Sequence, residues 1–250
     1  RLMELAKLHE KSQLDSEDIA FRLAPRLNAA GRLGKAASGI ELLTTADPAR
    51  AASLADYVHE LNAQRDTLER SIQLAAAKQA RERFDPEADA ALVLAERGWH
   101  PGVIGIVAGR LAEKHHRPVV MLARDEHQGR PAIGSARSVP GFDVHAALVA
   151  CRDLLVTCGG HAAAAGLRIE DAKIDAFRER FLGEVESRMP AALRQAQITI
   201  DGEATLAGLT LDTVSQMERL APFGQANRRP VLCASGVRLA EPPRTIGGGA

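Results

Sequence analysis

The sequence predicts a mixed α/β protein, and three observations carry that prediction. Residues 88–190 alternate short apolar runs with amphipathic stretches, the pattern of a sheet with helices packed against it. Ahead of them, from Asp47-Pro48 to about Phe84, the pattern is helical without a break. After Pro190, short β-type runs return between turn residues, which predicts a further β-rich segment.

Taken in order, residues 1–22 read as helix, with Leu2, Leu5 and Leu8 on one face. In the stretch from Leu23 to Gly34, Pro25 disfavours helix before it while Gly31 and Gly34 mark a turn. The long helix opens with Asp47 as N-cap and Pro48 in its first turn. At about 1.5 Å per residue it would run for roughly 55 Å. Leu54, Val58, Leu61, Leu68 and Ile72 form its apolar stripe, which is narrow for a core helix, and Arg65 and Gln79 interrupt any coiled-coil seam. A helix bridging two domains explains that pattern best.

Within the α/β unit, strands are expected at residues 90–95, 118–122 and 132–137, and again at Leu167-Arg168-Ile169. Helices are expected from Val103 to Lys114, where Gly102, Gly105 and Gly109 permit close packing, from Val144 to Leu155, and from Ala172 to Met189. Beyond Pro190, strands are expected at residues 198–202, 231–233 and from Val237, with a helix from Leu211 to Leu220.

Bulk properties narrow the classes. The 250 residues are 46% hydrophobic and 26% charged, an ordinary globular balance, and only 3% aromatic, so the cores should be aliphatic. Formal net charge is zero and the sequence pI is about 7.3, which argues against a broad nucleic-acid surface but leaves room for a narrow basic groove. Cys151, Cys158 and Cys233 lack the paired spacing of zinc sites or disulfide frameworks, and a reducing cytoplasm fits them. No apolar run approaches the roughly 20 residues that span a bilayer, and no membrane partner is expected. Arg1 lies inside a helical pattern, and Ile246-Gly247-Gly248-Gly249-Ala250 stops without a finish to the strand before it, so both ends read as cuts in a longer protein.

The chemistry centres on Gly159-Gly160-His161-Ala162-Ala163-Ala164-Ala165-Gly166. Glycines let another molecule lie against the peptide groups, and His161 is the polar side chain in a run of small residues. The spacing does not fit a dinucleotide fingerprint, and taken alone such a run is more often a structural turn before a strand. Arg26 and Arg32 flank small residues in a way suited to gripping phosphate, against the alternative of a solvated basic loop. Ser135 and Arg137, taken by themselves, read as an edge strand with the Arg facing out. His115-His116 reads as a solvated helix cap, Trp99 as packing, His100 as a cap of the following helix, and His145 as a structural histidine.

Gly98-Trp99-His100-Pro101-Gly102-Val103-Ile104-Gly105, then Gly134-Ser135-Ala136-Arg137-Ser138, then the 159–166 run, together resemble the DHHA1 domain of the DHH phosphoesterase superfamily. The order of motifs is most similar to that of its single-strand-specific exonucleases. Asn28-Ala29-Ala30-Gly31-Arg32 resembles a motif of that group at the edge of the DHH domain, and Pro222-Phe223-Gly224-Gln225-Ala226-Asn227 resembles the start of its OB-like domain, with Ala226 and Arg228 where the group has Gly and Pro. The resemblance implies a DHHA1-type sheet with packed helices, preceded by a long connecting helix and followed by a partial OB-like β domain. The boundaries so implied are an edge of the DHH domain at 1–46, the connector at 47–86, the DHHA1 domain at 87–193, and a truncated OB-like domain at 194–250.

The same resemblance implies a metal-dependent 5′–3′ exonuclease on single-stranded DNA, acting in repair and recombination, with repair or replication proteins as partners. Asn28, Arg32, Ser135 and Arg137, with the backbone of Gly159 and Gly160, would bind substrate, and His161 would approach the reacting phosphate. The Mn2+ or Mg2+ of a two-metal site would be held by Asp and His motifs absent from this sequence, so the piece is expected to bind substrate without hydrolysing it alone. Three alternatives stand beside this. They are a phosphoesterase of short oligonucleotides or cyclic dinucleotides, which residues 197–250 disfavour, a non-catalytic nucleic-acid-binding scaffold of a replication assembly, and a synthetase-associated copy of the domain.

Overall fold

The computed structural model describes residues 1–125, 127 and 129–243, so the expected truncated strand end at 246–250 lies outside the described residues. The chain divides into two compact units. The larger holds Arg1–Ser12 and Asp18–Ala196, and the smaller holds Gln13–Glu17 together with the residues from Gln197 onward.

The larger unit begins with a single helical turn, α1 (Leu2–Leu5), rather than a helix over 1–22. Lys7 takes a left-handed conformation (φ 56°) that stops the helix, and helical geometry resumes only as a π-type turn at Asp18–Leu23. The stretch read as a turn is mostly helix, α2 (Ala24–Arg32). Pro25 sits in its first turn, where the missing N–H costs nothing, and Gly34 at φ 74° turns the chain beyond it. A helix that the sequence reading passed over, α3 (Ala36–Thr44), follows. Then comes α4 (Pro48–Arg83), 36 residues long, its first turn capped by the Asp47 carboxylate, which accepts from the Ala49 N–H at 2.9 Å.

Two separate cores meet along α4. Near its start Val58 and Leu61 close on Ala29 and Ala30 of α2. Near its end Ile72, Ala76 and Ala80 pack under β1 (Leu92–Arg97) and α5 (Ile104–His115). Trp99 is buried in this second core.

The sheet comprises β1, β2 (Val119–Arg124), β3 (Ala132–Arg137), β5 (Ala164–Ile169) and β4 (Thr157–His161), in that spatial order. Only β1 and β2 are parallel. The two central residues of the β4–β5 hairpin, Ala162 and Ala163, are tied down through their carbonyls, which accept from the N–H groups of Val144 and Ser138 at 3.0 Å each. On one face, Val120, Leu122, Ala136, Ala165, Leu167 and Ile169 pack against α6 (Val144–Ala150) and α7 (Ile174–Arg188). The expected helix to Leu155 is shorter because α6 yields to a 3-10 turn at Arg152–Leu154.

The other face is covered unevenly. Leu92, Leu94, Val119 and Met121 lie under α4 and α5. Among the described residues no helix covers the sheet over β5 and β4, and Thr157, Gly159, His161, Gly166 and Arg168 are exposed.

The smaller unit has a two-stranded parallel pair, β6 (Gly202–Glu203) and β7 (Leu232–Cys233), and one helix, α8 (Leu211–Glu218). The strands expected at 198–202 and 231–233 are thus only two residues long, and residues 237–239 form no strand. Asn227 organises the loop before β7, its side-chain amide donating to the carbonyls of Leu220 (2.8 Å) and Pro222 (3.0 Å).

Candidate phosphate-binding site

Two elements of the larger unit, α2 and β3, converge on the N-terminal end of α5. From α2 comes Arg32, whose Nη1 donates to the Gly102 carbonyl at 3.3 Å. Contact here is close: a Cβ on Gly102 would fall 2.0 Å from the Arg32 carbonyl oxygen. Asn28, one helical turn before Arg32, is exposed with it beside a shallow groove between α2 and α3.

From β3 come Ser135 and Arg137, alternate residues on the face that meets α5. Arg137 Nη1 donates to Ser135 Oγ at 2.9 Å and to the Ala136 carbonyl at 2.7 Å. A Cβ on Gly105 would lie 2.7 Å from Arg137 Nη2 and 2.8 Å from Ser135 Oγ, so the bare backbone of α5 is what admits both polar groups. Burial lowers the Arg137 pKa from its ordinary value, and the charge of Arg32 lowers it further. Two guanidiniums therefore face one notch, and neither forms an ion pair with a described carboxylate. The N-terminal end of the α5 dipole adds to the positive potential there.

Of the remaining site residues, His161 and Gly159 lie across the sheet on the same face, whereas Gly160 pairs with Ala165 on the other. Arg137 pairs with Ala164, and Ala164 pairs with His161, so the two polar side chains stand two strands apart, about 10 Å. His161 is exposed, and its Nδ1 accepts from the Ala163 N–H at 3.3 Å, which leaves Nε2 as the proton-bearing nitrogen of the neutral ring. Gly159 and Gly160 lie on a strand rather than in a turn, and they differ. At Gly160 φ is 151° and a Cβ would meet the Ala164 carbonyl at 2.4 Å, whereas at Gly159 a Cβ would meet nothing within 4 Å.

Several sequence expectations change. Arg26 does not join Arg32: its Nε donates to His59 Nδ1 at 3.2 Å and its Nη2 to the Leu5 carbonyl at 3.1 Å. Gly109 has open space beside it rather than a tight contact. His115 is half-buried against Phe84, ring centroids 5.2 Å apart, and is not a solvated cap. His100 acts locally, its Nδ1 accepting from the Gly102 N–H at 3.1 Å. The role of Gly105, which the sequence reading took as packing, is to admit the Ser135–Arg137 pair. Among the described residues no group of three or more His, Cys, Asp or Glu could hold a metal ion.

The DHHA1 domain family model matches residues 88–187, the span that holds the five-stranded sheet and the notch at the head of α5. The RecJ OB domain model matches residues 200–249. The chain is 33% identical over 248 residues to the single-stranded-DNA-specific exonuclease RecJ of Bacillus subtilis, covering 98% of this chain and 31% of that protein. To the same exonuclease of Thermus thermophilus it is 37% identical over 232 residues, covering 93% of this chain and 32% of that protein. The crystal structure of Thermus thermophilus RecJ in complex with Mg2+ superposes with a TM-score of 0.78 at 35% identity, over 91% of this chain and 34% of that one. Its counterpart with Mn2+ gives 0.79 at 34%, over 92% and 33%. The chain thus carries a DHHA1 domain followed by a RecJ OB domain, is similar to RecJ over nearly its whole extent, and spans about a third of the length of these relatives.

Proposed function

We propose that this chain is the substrate-holding part of a metal-dependent 5′–3′ exonuclease of single-stranded DNA that acts in repair and recombination. The observation that carries the reading is the pair Arg32 and Arg137, two cations turned toward one notch with no described carboxylate between them. Such a pair is costly for the fold alone and is relieved by an anion. In this reading Arg32 and Arg137 hold a strand phosphate with forked donors, Ser135 adds its hydroxyl, and Asn28 contacts the strand beside Arg32. The strand crosses the bare backbone of Gly159 and Gly160. His161 directs its Nε2 proton at a phosphate oxygen, where it steadies developing charge.

The relatives' structures are of RecJ with Mg2+ and with Mn2+. The described residues here do not fit such an ion, so no step in this chain runs through one, and the chain alone is expected to bind without cleaving. The cytoplasm is the compartment this role calls for, and three free cysteines suit it. Repair or replication proteins are the partners it calls for.

The test is fluorescence-anisotropy binding of 5′-phosphorylated single-stranded and duplex DNA across a salt series, with Arg137→Ala and His161→Ala alongside. Salt-sensitive preference for the single strand, reduced in both variants, is the expected result. Equal binding to duplex, or variants that bind like the parent, would overturn the reading.

A further inference from the structure

The outward positions of the sheet form three rows across β3, β5 and β4. They are Arg137, Ala164 and His161, then Ser135, Gly166 and Gly159, then Ile133, Arg168 and Thr157. The first two rows make up the site already described, and the third has no role in it.

Arg168 is exposed, and its guanidinium makes no hydrogen bond or ion pair with a described residue. Beside it Ile133 is 38% exposed although its strand is central in the sheet. Between Arg168 and the first row the floor is empty. A Cβ on Gly159 would meet nothing, and one on Gly166 only the Gly134 carbonyl oxygen at 3.9 Å. A sheet face shaped for its own stability carries β-branched or aromatic pairs at such positions. Here two glycines face each other in a strip bounded by a cation at each end.

We propose that Arg168 is a second phosphate anchor, gripping single-stranded DNA that enters at Arg137 and crosses the glycine floor. Ile133 then offers apolar contact to a sugar or base, and the Thr157 hydroxyl a further donor. This rests on the reading that Arg32 and Arg137 hold the first phosphate. Arg168 lies four residue steps along β5 from Ala164 of the first row, about 13 Å at about 3.3 Å per step. That is the length of roughly four stacked nucleotides at about 3.4 Å per nucleotide, so Arg168 engages only strands longer than that.

The experiment titrates the 250-residue chain with 5′-phosphorylated dT dinucleotide and dT decanucleotide over a salt series. It compares Arg168→Ala, Arg168→Lys, Arg137→Ala and, as a control on α4, Arg81→Ala. Arg168→Ala should weaken decanucleotide binding about five- to tenfold at low salt and lower the salt slope by about 0.7, the value for one phosphate contact on a single strand. It should leave the dinucleotide unaffected, and Arg168→Lys should restore most of the loss. If Arg168→Ala matches Arg81→Ala, or weakens both ligands equally, while Arg137→Ala abolishes both, the second anchor is wrong and the first stands. If Arg137→Ala changes neither ligand, or the parent chain binds neither, the reading beneath it fails as well.

Discussion

Gly105 and Arg137 are in contact so close that a single methyl would part them: a Cβ on the helix residue would stand 2.7 Å from Nη2 of the strand residue. The clash falls on two side-chain ends, this guanidinium and the Ser135 hydroxyl at 2.8 Å, and not on backbone, so the fold can absorb it by turning both away. Gly105→Ala should therefore leave the thermal midpoint within a few degrees of the parent and still weaken binding of a 5′-phosphorylated oligonucleotide as Arg137→Ala does. Arg81→Ala on α4 should have much less effect, and anisotropy titrations of the three variants check this.

Two adjacent glycines should respond in opposite ways. Gly160→Ala drives a Cβ into the Ala164 carbonyl at a φ of 151°, and should cost about 1–3 kcal/mol. Gly159→Val meets open space on an extended strand, and should hold or raise stability by about 0.5–1 kcal/mol. The same valine stands in the proposed path of the strand, so oligonucleotide binding should fall. Urea melts and binding titrations on the two variants separate fold from ligand.

Burial lowers the His115 pKa first, with the charges of Lys114, Arg117 and His116 adding to it. The folded state then favours the neutral ring against Phe84, whereas the unfolded chain takes up a proton more readily. The stability this contributes is present above the ordinary histidine pKa, about 6.5, and is lost as pH falls through the depressed folded value. Between pH 7.5 and pH 5, the urea midpoint of His115→Phe should fall less than that of the parent.

The thiol of Cys151 is fully buried, and burial, followed by the nearby Glu184, pushes its pKa up to about 11. Cys158 and Cys233 are partly accessible. A thiol reagent at pH 8 should modify Cys158 and Cys233 in the native protein and reach Cys151 only on unfolding, which mass spectrometry of the labelled peptides reads directly.

What the sequence disclosed follows from how local each signal is. The span of α4 was legible because Asp47-Pro48 opens it and no Gly or Pro interrupts Ala49 to Arg83. Strand β3 was legible from a short run that alternates burial along its length. By contrast, β4 reads Thr-Cys-Gly-Gly-His, poor in strand formers, and exists because β5 offers it a full ladder. Pro25 pointed away from helix, but its position in the first turn of α2 removes the objection. Among the proposed site residues, Arg32 stands out in the sequence as an Arg beside small residues, whereas Ser135 and Arg137 stand out only through the resemblance of their motif. That Arg26 turns instead to His59 and Leu5 depends on partners 33 and 21 positions away, which no local pattern records.

The two cores on α4 impose a phase on that helix. Val58 and Leu61 face one of them, and Ile72, Ala76 and Ala80 the other. One residue inserted between these patches would rotate the second by about 100° and advance it by about 1.5 Å. Arg32 and Gly102, which meet at 3.3 Å, lie on elements fixed to opposite ends of that spacer. An insertion of about seven residues, close to two whole turns, would restore the rotation but move the two patches about 10 Å further apart. The length of that spacer is therefore fixed in both angle and distance, and a single added residue dissolves the notch without altering any side chain that lines it.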